Sequence, residues 1–188
     1  MSQSNDPSLD ICAPLGEEVI ASLHAGDRVR IQGVLYVARD AAHQRLVQTL
    51  EAGQPLPFDP HGQIIYYMGP SPARPGHPVG SAGPTTAGRM DPSVPAMLEA
   101  GLKGMLGMGN RSRAVREALQ HYRAVYLVAT GGVAALISRS IQSAELLAYG
   151  DLGPEALLRL RVNGLPAIVA NDIYGEDAYQ SGIARYRQ

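Results

Sequence analysis

Over residues 28–38 the chain alternates: Val29, Ile31, Gly33, Leu35 and Val37 fall on one side, and Arg30, Gln32, Val34 and Tyr36 on the other. A period of two over this length is a strand with one face in a core. The fold must therefore cover a half-buried strand. Helical spacing follows at once, with Asp40 at the N-cap position and Ala42, Leu46, Val47 and Leu50 on the apolar side of a helix running to about Glu51. Arg39 is thereby delivered to a strand-to-helix junction, where it is either a rim cation or a binding residue.

The rest of the chain repeats short strand-like runs between helical ones. Strands are expected over 11–15, 63–68, 102–106, 124–129, 144–148, 158–162 and 167–170. Helices are expected over 17–23, up to about Gly101 with Asp91 or Ser93 as cap, from the 107–112 turn to about Tyr122, from Gly131-Gly132 to about Arg139, and briefly from Gly153-Pro154-Glu155. Strands and helices intersperse without strict alternation, which predicts a compact layered α/β domain with mixed sheets. Residues 1–10 are expected as a mobile tail, 11–173 as one domain and 174–188 as a C-terminal tail.

With 16 basic against 17 acidic residues the net charge is -1, so no polyanion field is expected and nucleic acid is not an expected partner. One cysteine, Cys12, makes no disulfide and no thiolate metal site within this chain, and the histidines at 24, 43, 61, 77 and 121 have no zinc spacing. No metal site is expected here. The most apolar region, 124–137, is broken by Thr130-Gly131-Gly132 and falls short of the ~20 residues of a membrane span. The polar N-terminal residues lack the pattern of a signal peptide, and a cytoplasmic location is expected.

The densest polar chemistry lies in Gly83-Pro84-Thr85-Thr86-Ala87-Gly88-Arg89-Met90-Asp91. Glycine and proline bend the backbone, and Arg89 offers a planar fork of donors suited to a carboxylate. A small anion fits such a loop. The second glycine turn, Gly104 to Gly109, is followed by Asn110 and Arg111 where a phosphate loop needs Lys and then Ser or Thr, which argues against nucleotide binding.

Several long motifs then act together: A-G-D-R-V, A-R-D-A-A-H at 38–43, I-Y-Y-M-G-P at 65–70, G-S-A-G-P-T-T-A-G-R-M-D at 80–91, L-K-G-M-L-G-M-G-N-R-S at 102–112 and A-T-G-G-V-A-A-L at 129–136. In these the chain resembles the beta subunit, or C-terminal domain, of the iron-sulfur-dependent class I hydro-lyases, class I fumarase and L-tartrate dehydratase. The resemblance implies a swivelling β/β/α domain and an alpha-subunit partner that holds a [4Fe-4S] cluster. It also implies a C4 dicarboxylate substrate, fumarate or malate in preference to tartrate, and a hetero-oligomer, or a dimer when alone. Arg39 and Arg89 then correspond to substrate-carboxylate donors, and Thr85 to the proton-transfer residue.

One departure stands out. The family turn reads G-K-G, and here it is Gly107-Met108-Gly109, so Met108 occupies the position of a carboxylate-binding lysine. Losing a preorganised cation from such a site costs about 2.7 to 4 kcal/mol, by analogy with an oxyanion donor. Lys103 lies about 16 Å back along an extended strand at ~3.3 Å per residue and is no substitute, whereas Arg111 is within reach by sequence distance. Met108 is compatible with a tolerated natural residue, a changed substrate, a deliberate substitution, or a subunit that binds dicarboxylates without turning them over.

Overall fold

The computed structural model describes residues 8–73, 75–129 and 134–186. Its elements run β1 (Leu9–Ala13), α1 (Glu17–Ser22), β2 (Arg28–Val37), α2 (Asp40–Glu51), β3 (Ile64–Tyr66), a 3-10 segment (Ala87–Ser93), α3 (Val94–Glu99), β4 (Gly104–Gly107), α4 (Arg113–His121), β5 (Val125–Val128), α5 (Ala134–Ile137), β6 (Ile141–Ala148), a 3-10 segment (Gly150–Glu155), β7 (Leu157–Asn171) and α6 (Ala178–Tyr186). The mixed α/β expectation holds. The helix start read at Gly131-Gly132 lies outside the described residues.

The strands form one 7-stranded sheet in the order β1-β2-β3-β4-β5-β7-β6, with β2 also paired to β7. Neighbours from β2 through β5 are parallel, while β7 runs antiparallel to β2, β5 and β6. The extra pairing folds the sheet back on itself and makes two strand layers. Alternate residues of β3 separate the cores: Ile64 and Tyr66 join β1, β2 and β7 side chains, whereas Ile65 packs under α2, α3 and α4. The result is sheet on sheet on helix, the β/β/α layering the resemblance implied. Both faces of β3, β4 and β5 are buried, which explains why these strands read as short apolar runs without alternation.

β2 is buried at Val29, Ile31, Leu35 and Val37 as its alternation predicts. Gly33 has φ +98°, and a Cβ there would lie 2.5 Å from the Ala13 carbonyl oxygen, so only glycine lets β1 approach. The strands expected over 158–162 and 167–170 are one strand, β7. Pro166 is tolerated because β6 pairs with β7 over 157–162 and β5 over 168–171, which leaves 163–167 bonded on one edge only. The stretch expected as a C-terminal tail includes α6. Asp177 anchors its start, accepting from the Tyr179 and Gln180 N–H groups and pairing with Arg116 at 3.2 Å. Among the described residues no helix is long and apolar enough to cross a membrane.

Candidate active site

Parallel strands that are neighbours in a sheet end on the same side, and ligands in such sheets gather beyond the strands' carboxyl ends. Here β2 runs out through Ala38 to Arg39, β3 through Tyr67 to Gly69, and β4 to Met108. The Thr-Thr loop is stitched across these ends. The Thr85 N–H donates to the Tyr67 carbonyl at 2.7 Å, the Met108 N–H to the Thr85 carbonyl at 3.1 Å, and the Ala87 N–H to the Met108 carbonyl at 2.9 Å. Met68 and Pro84 form an antiparallel bridge, and Thr86 and Met108 a parallel one. Sequence positions 68, 85 and 108 thus become neighbours. Thr85 is half-buried and Met108 37% exposed.

The two arginines reach this edge differently. Arg39, in extended conformation, occupies the N-cap position of α2, and its Nη2 lies 3.3 Å from Glu155 Oε1. A Cβ on Gly69 would sit 2.6 Å from Arg39 Nη1, so the guanidinium lies against bare backbone. Arg89 stands on the 3-10 segment, its Nε donating to Asp40 Oδ1 at 3.0 Å while Nη2 makes an ionic contact with Oδ2 at 2.9 Å. Asp40 is therefore not the cap expected from sequence. It is the first helical residue, the N-cap residue Arg39 makes no side-chain cap bond, and the Asp40 carboxylate is drawn to Arg89 instead. Glu155 does part of the capping, since its Oε2 accepts from the Ala41 N–H at 3.0 Å.

Beneath the site lies a layer of buried polar groups. Arg111 does not face the open edge, as its sequence distance from Met108 suggested it could. Its side chain has no exposed surface and is held between the Tyr67 and Tyr126 rings, 5.4 and 5.0 Å from their centroids. It donates to the Ala87 carbonyl at 2.9 Å and contacts Asp91 at 3.2 Å, pinning the segment that carries Arg89. Asp91 accepts from the Ser112 N–H at 2.9 Å and caps no helix, and the Ser93 side chain makes no cap either. Ser112 caps α4 by accepting from Val115. His43, fully buried, places Nδ1 3.0 Å from the Arg39 carbonyl and its ring edge-on to Tyr67. Burial pushes its pKa from 6.5 down to about 4, so the imidazole is neutral near pH 7. Burial likewise raises the Tyr67 phenol. Lys103 is committed elsewhere, donating to the Tyr122 carbonyl and pairing with Glu17.

A family model described as Fumarase C-terminus matches residues 2–182. The chain belongs to the fumarase C-terminus family. It is 43% identical over 155 residues to fumarate hydratase 1, mitochondrial, of Leishmania major, which covers 81% of this chain and 28% of that protein. With the class I anaerobic fumarate hydratase of Escherichia coli (strain K12) identity is 38% over 94% of this chain and 32% of the relative. With the putative L(+)-tartrate dehydratase subunit beta of Methanocaldococcus jannaschii it is 34%, covering 88% of both. The chain thus spans about a third of the fumarate hydratases it matches and most of a beta subunit.

A [4Fe-4S] cluster does not fit this chain of the fumarase C-terminus family. Such clusters take several thiolates, and Cys12 is the sole cysteine, exposed on β1 with its thiol 3.6 Å from the Ala13 carbonyl. His24, Asp172 and Glu176 bring ligand atoms within 4.8 Å of one another. The Asp172 carboxylate, however, is already closing a turn by accepting from the N–H groups of Ala25, Tyr174 and Glu176. A cavity of about 330 Å³ bordered by Ser71, His77, Gly80 and Ser138 touches none of Arg39, Thr85, Arg89 or Met108. Of those four, Arg89 is the most open, its side chain 49% exposed against 23% for Arg39. Asp40 and Glu155 are the site-edge residues whose contacts sequence reasoning missed. Asp40 carried a signal, a carboxylate next to Arg39; Glu155, 114 residues beyond its bonding partner Ala41, carried none.

Proposed function

We propose that this chain is the beta-type half of a hydro-lyase site that reversibly hydrates fumarate to malate together with an alpha-type chain. The observation that carries the reading is that the Thr85–Met108 backbone bonds tie the Thr-Thr loop to the ends of β3 and β4, while Arg39 follows the end of the neighbouring β2 and the next residue, Asp40, pairs with Arg89. Arg39 and Arg89 bind the two carboxylates of a C4 dicarboxylate by charge-assisted hydrogen bonds. Thr85 moves the proton at the carbon beside one carboxylate, and a threonine hydroxyl needs a neighbouring base for that work. The alpha-type chain holds the [4Fe-4S] cluster, which supplies the Lewis acid for the hydroxyl. An edge with Arg89 half-exposed and Arg39 about a quarter exposed suits closure by a second surface, and relatives about three times as long have room for it. The location of such a pair is the cytoplasm.

Met108 favours a second reading, in which the pair binds dicarboxylates without turnover. A neutral thioether, 37% exposed on this edge, stands where the family motif carries a cation. One experiment separates the readings: co-express the chain with an alpha-type partner, keep it anaerobic, and assay malate and tartrate with Met108 and with Met108→Lys. Malate turnover above tartrate turnover is expected. Better turnover of tartrate reverses the substrate, and malate binding without turnover in the parent, restored by Met108→Lys, establishes the second reading. Iron held tightly by this chain alone refutes the division of labour.

A further inference from the structure

Each of the two arginines at the site edge already has a carboxylate partner from its own chain, and both partners are less than a third exposed. The Asp40 side chain is only 26% exposed, against 49% for Arg89 above it, and its Oδ2 has no exposed surface. Asp40 is also locked into the first turn of α2. Glu155 is held twice: Oε2 accepts from the Ala41 N–H, while Oε1 faces Arg39. Its 3-10 segment is tied to α2 a second time by the Arg45–Asp151 ion pair, with Arg45 lying 5.4 Å over the Tyr149 ring.

We propose that Asp40 and Glu155 are positioning carboxylates, each holding one edge of an arginine (Asp40 of Arg89, Glu155 of Arg39) so that a remaining edge is presented to a ligand carboxylate. The inference rests on the dicarboxylate reading above. A guanidinium has five N–H donors in a rigid fork. Asp40 accepts from Arg89 Nε through Oδ1 and lies in ionic contact with Nη2 through Oδ2, which leaves the Nη1 donors and the outward Nη2 donor, the end-on edge that pairs with a carboxylate. On Arg39, Glu155 engages Nη2 alone. It is the one charged partner of Arg39 among the described residues, and the bare backbone of Gly69 supports the opposite side of the fork. Asp40 and Arg39 are adjacent in sequence, so the first turn of α2 fixes the spacing of both arginines at once. A long side chain that is already oriented loses less freedom on binding, which is where the affinity gain arises. The contrary possibility is that these carboxylates occupy the ligand's place and must be expelled. The low exposure of Asp40 in the first turn of α2 and the bond from the Ala41 N–H to Glu155 argue against it.

The test uses the assembled pair with its alpha-type partner and L-malate as the probe, with affinity read by calorimetry and kcat where turnover occurs. Asp40→Asn and Glu155→Gln each keep the shape and remove the charge, and each should weaken malate binding about tenfold, within the range for coupled neighbours. The rate constant kcat should change far less than KM. Asp40→Asn should add nothing in an Arg89→Lys background, whereas a merely structural role would weaken both backgrounds alike. If a neutral variant fails to assemble, Asp40→Glu or Glu155→Asp, which keep the charge but misplace it by one methylene, should show the same loss. Unchanged or tighter malate binding in the variants of a parent that binds malate overturns this inference alone. A parent that binds no dicarboxylate overturns the functional reading and this inference with it.

Discussion

Acidification from pH 7 to pH 5 should cost this protein about 2 kcal/mol through His43 alone. The ring is fully buried on α2, and burial is the main reason its pKa falls from 6.5 to about 4. The Arg111 guanidinium pushes the same way, while the hydrogen bond to the Arg39 carbonyl and the Asp40 carboxylate oppose it. In the unfolded chain the imidazole takes a proton as the pH falls through about 6.5; in the folded one it does so only near 4. Between those values the unfolded state binds more protons, so stability falls with pH across the window and stops falling through this group below it. At about 1.36 kcal/mol per unit the full window is worth about 3 kcal/mol, most of it spent by pH 5. Glu17 is held below its ordinary value by hydrogen bonds from Arg123 and Lys103, so its share of stability is kept above the usual carboxylate range and lost only as the pH falls through and below it. Urea unfolding at pH 7, 6 and 5 measures the slope, in the parent and in His43→Gln and His43→Leu. Both variants should lack the His43 share of the slope whatever their absolute stability. Because His43 sits one turn along α2 from Arg39, amide exchange in acid should rise first at the start of α2. The reasoning fails if parent and variants share one slope, or if the His43 ring protons titrate near pH 6.5.

Other outcomes follow from the same geometry. Arg111→Ala should destabilise the fold by about 3 to 5 kcal/mol, because it strands Asp91 and empties the space between two tyrosine rings; a loss below about 1 kcal/mol in urea unfolding counts against a buried clamp. Gly69→Ala should change stability by less than about 1 kcal/mol, since the clash is with the far end of a flexible side chain, yet weaken malate binding by displacing Arg39. Equal malate affinity in Gly69→Ala and the parent removes Arg39 from the site. Arg89→Lys should impair malate binding or turnover about tenfold or more with folding intact, because an ammonium cannot engage Asp40 and a ligand through one planar fork. Arg28→Lys, at the exposed opposite end of β2, is the control and should be silent. If Arg89→Lys is equally silent, the carboxylate-binding assignment falls.

Local patterning carried much of this protein. The alternation over 28–38 made β2 legible, the apolar spacing Ala42, Leu46, Leu50 made α2 legible, and the glycine turn over 107–112 marked where α4 begins, because period and turn chemistry are properties of a few consecutive residues. The ordered motifs likewise placed Arg39, Thr85, Arg89 and Met108 as candidates. What tertiary structure decided were the choices between competing partners. Asp40 looked like a helix cap by position, but an arginine 49 residues away offered its carboxylate a full charge, and a charge-assisted contact outweighs a neutral cap. Arg111 looked available to a ligand, but two aromatic rings and a carbonyl met it in the interior. Asn163-Gly164-Leu165-Pro166 looked like the end of a strand, and β7 ran through it because its neighbours change from β6 to β5 at that point. Strand order, the folding back of the sheet through β2 and β7, and the place of Glu155 beside Arg39 all depend on pairings between residues far apart in the chain, whose energies no local window of sequence contains.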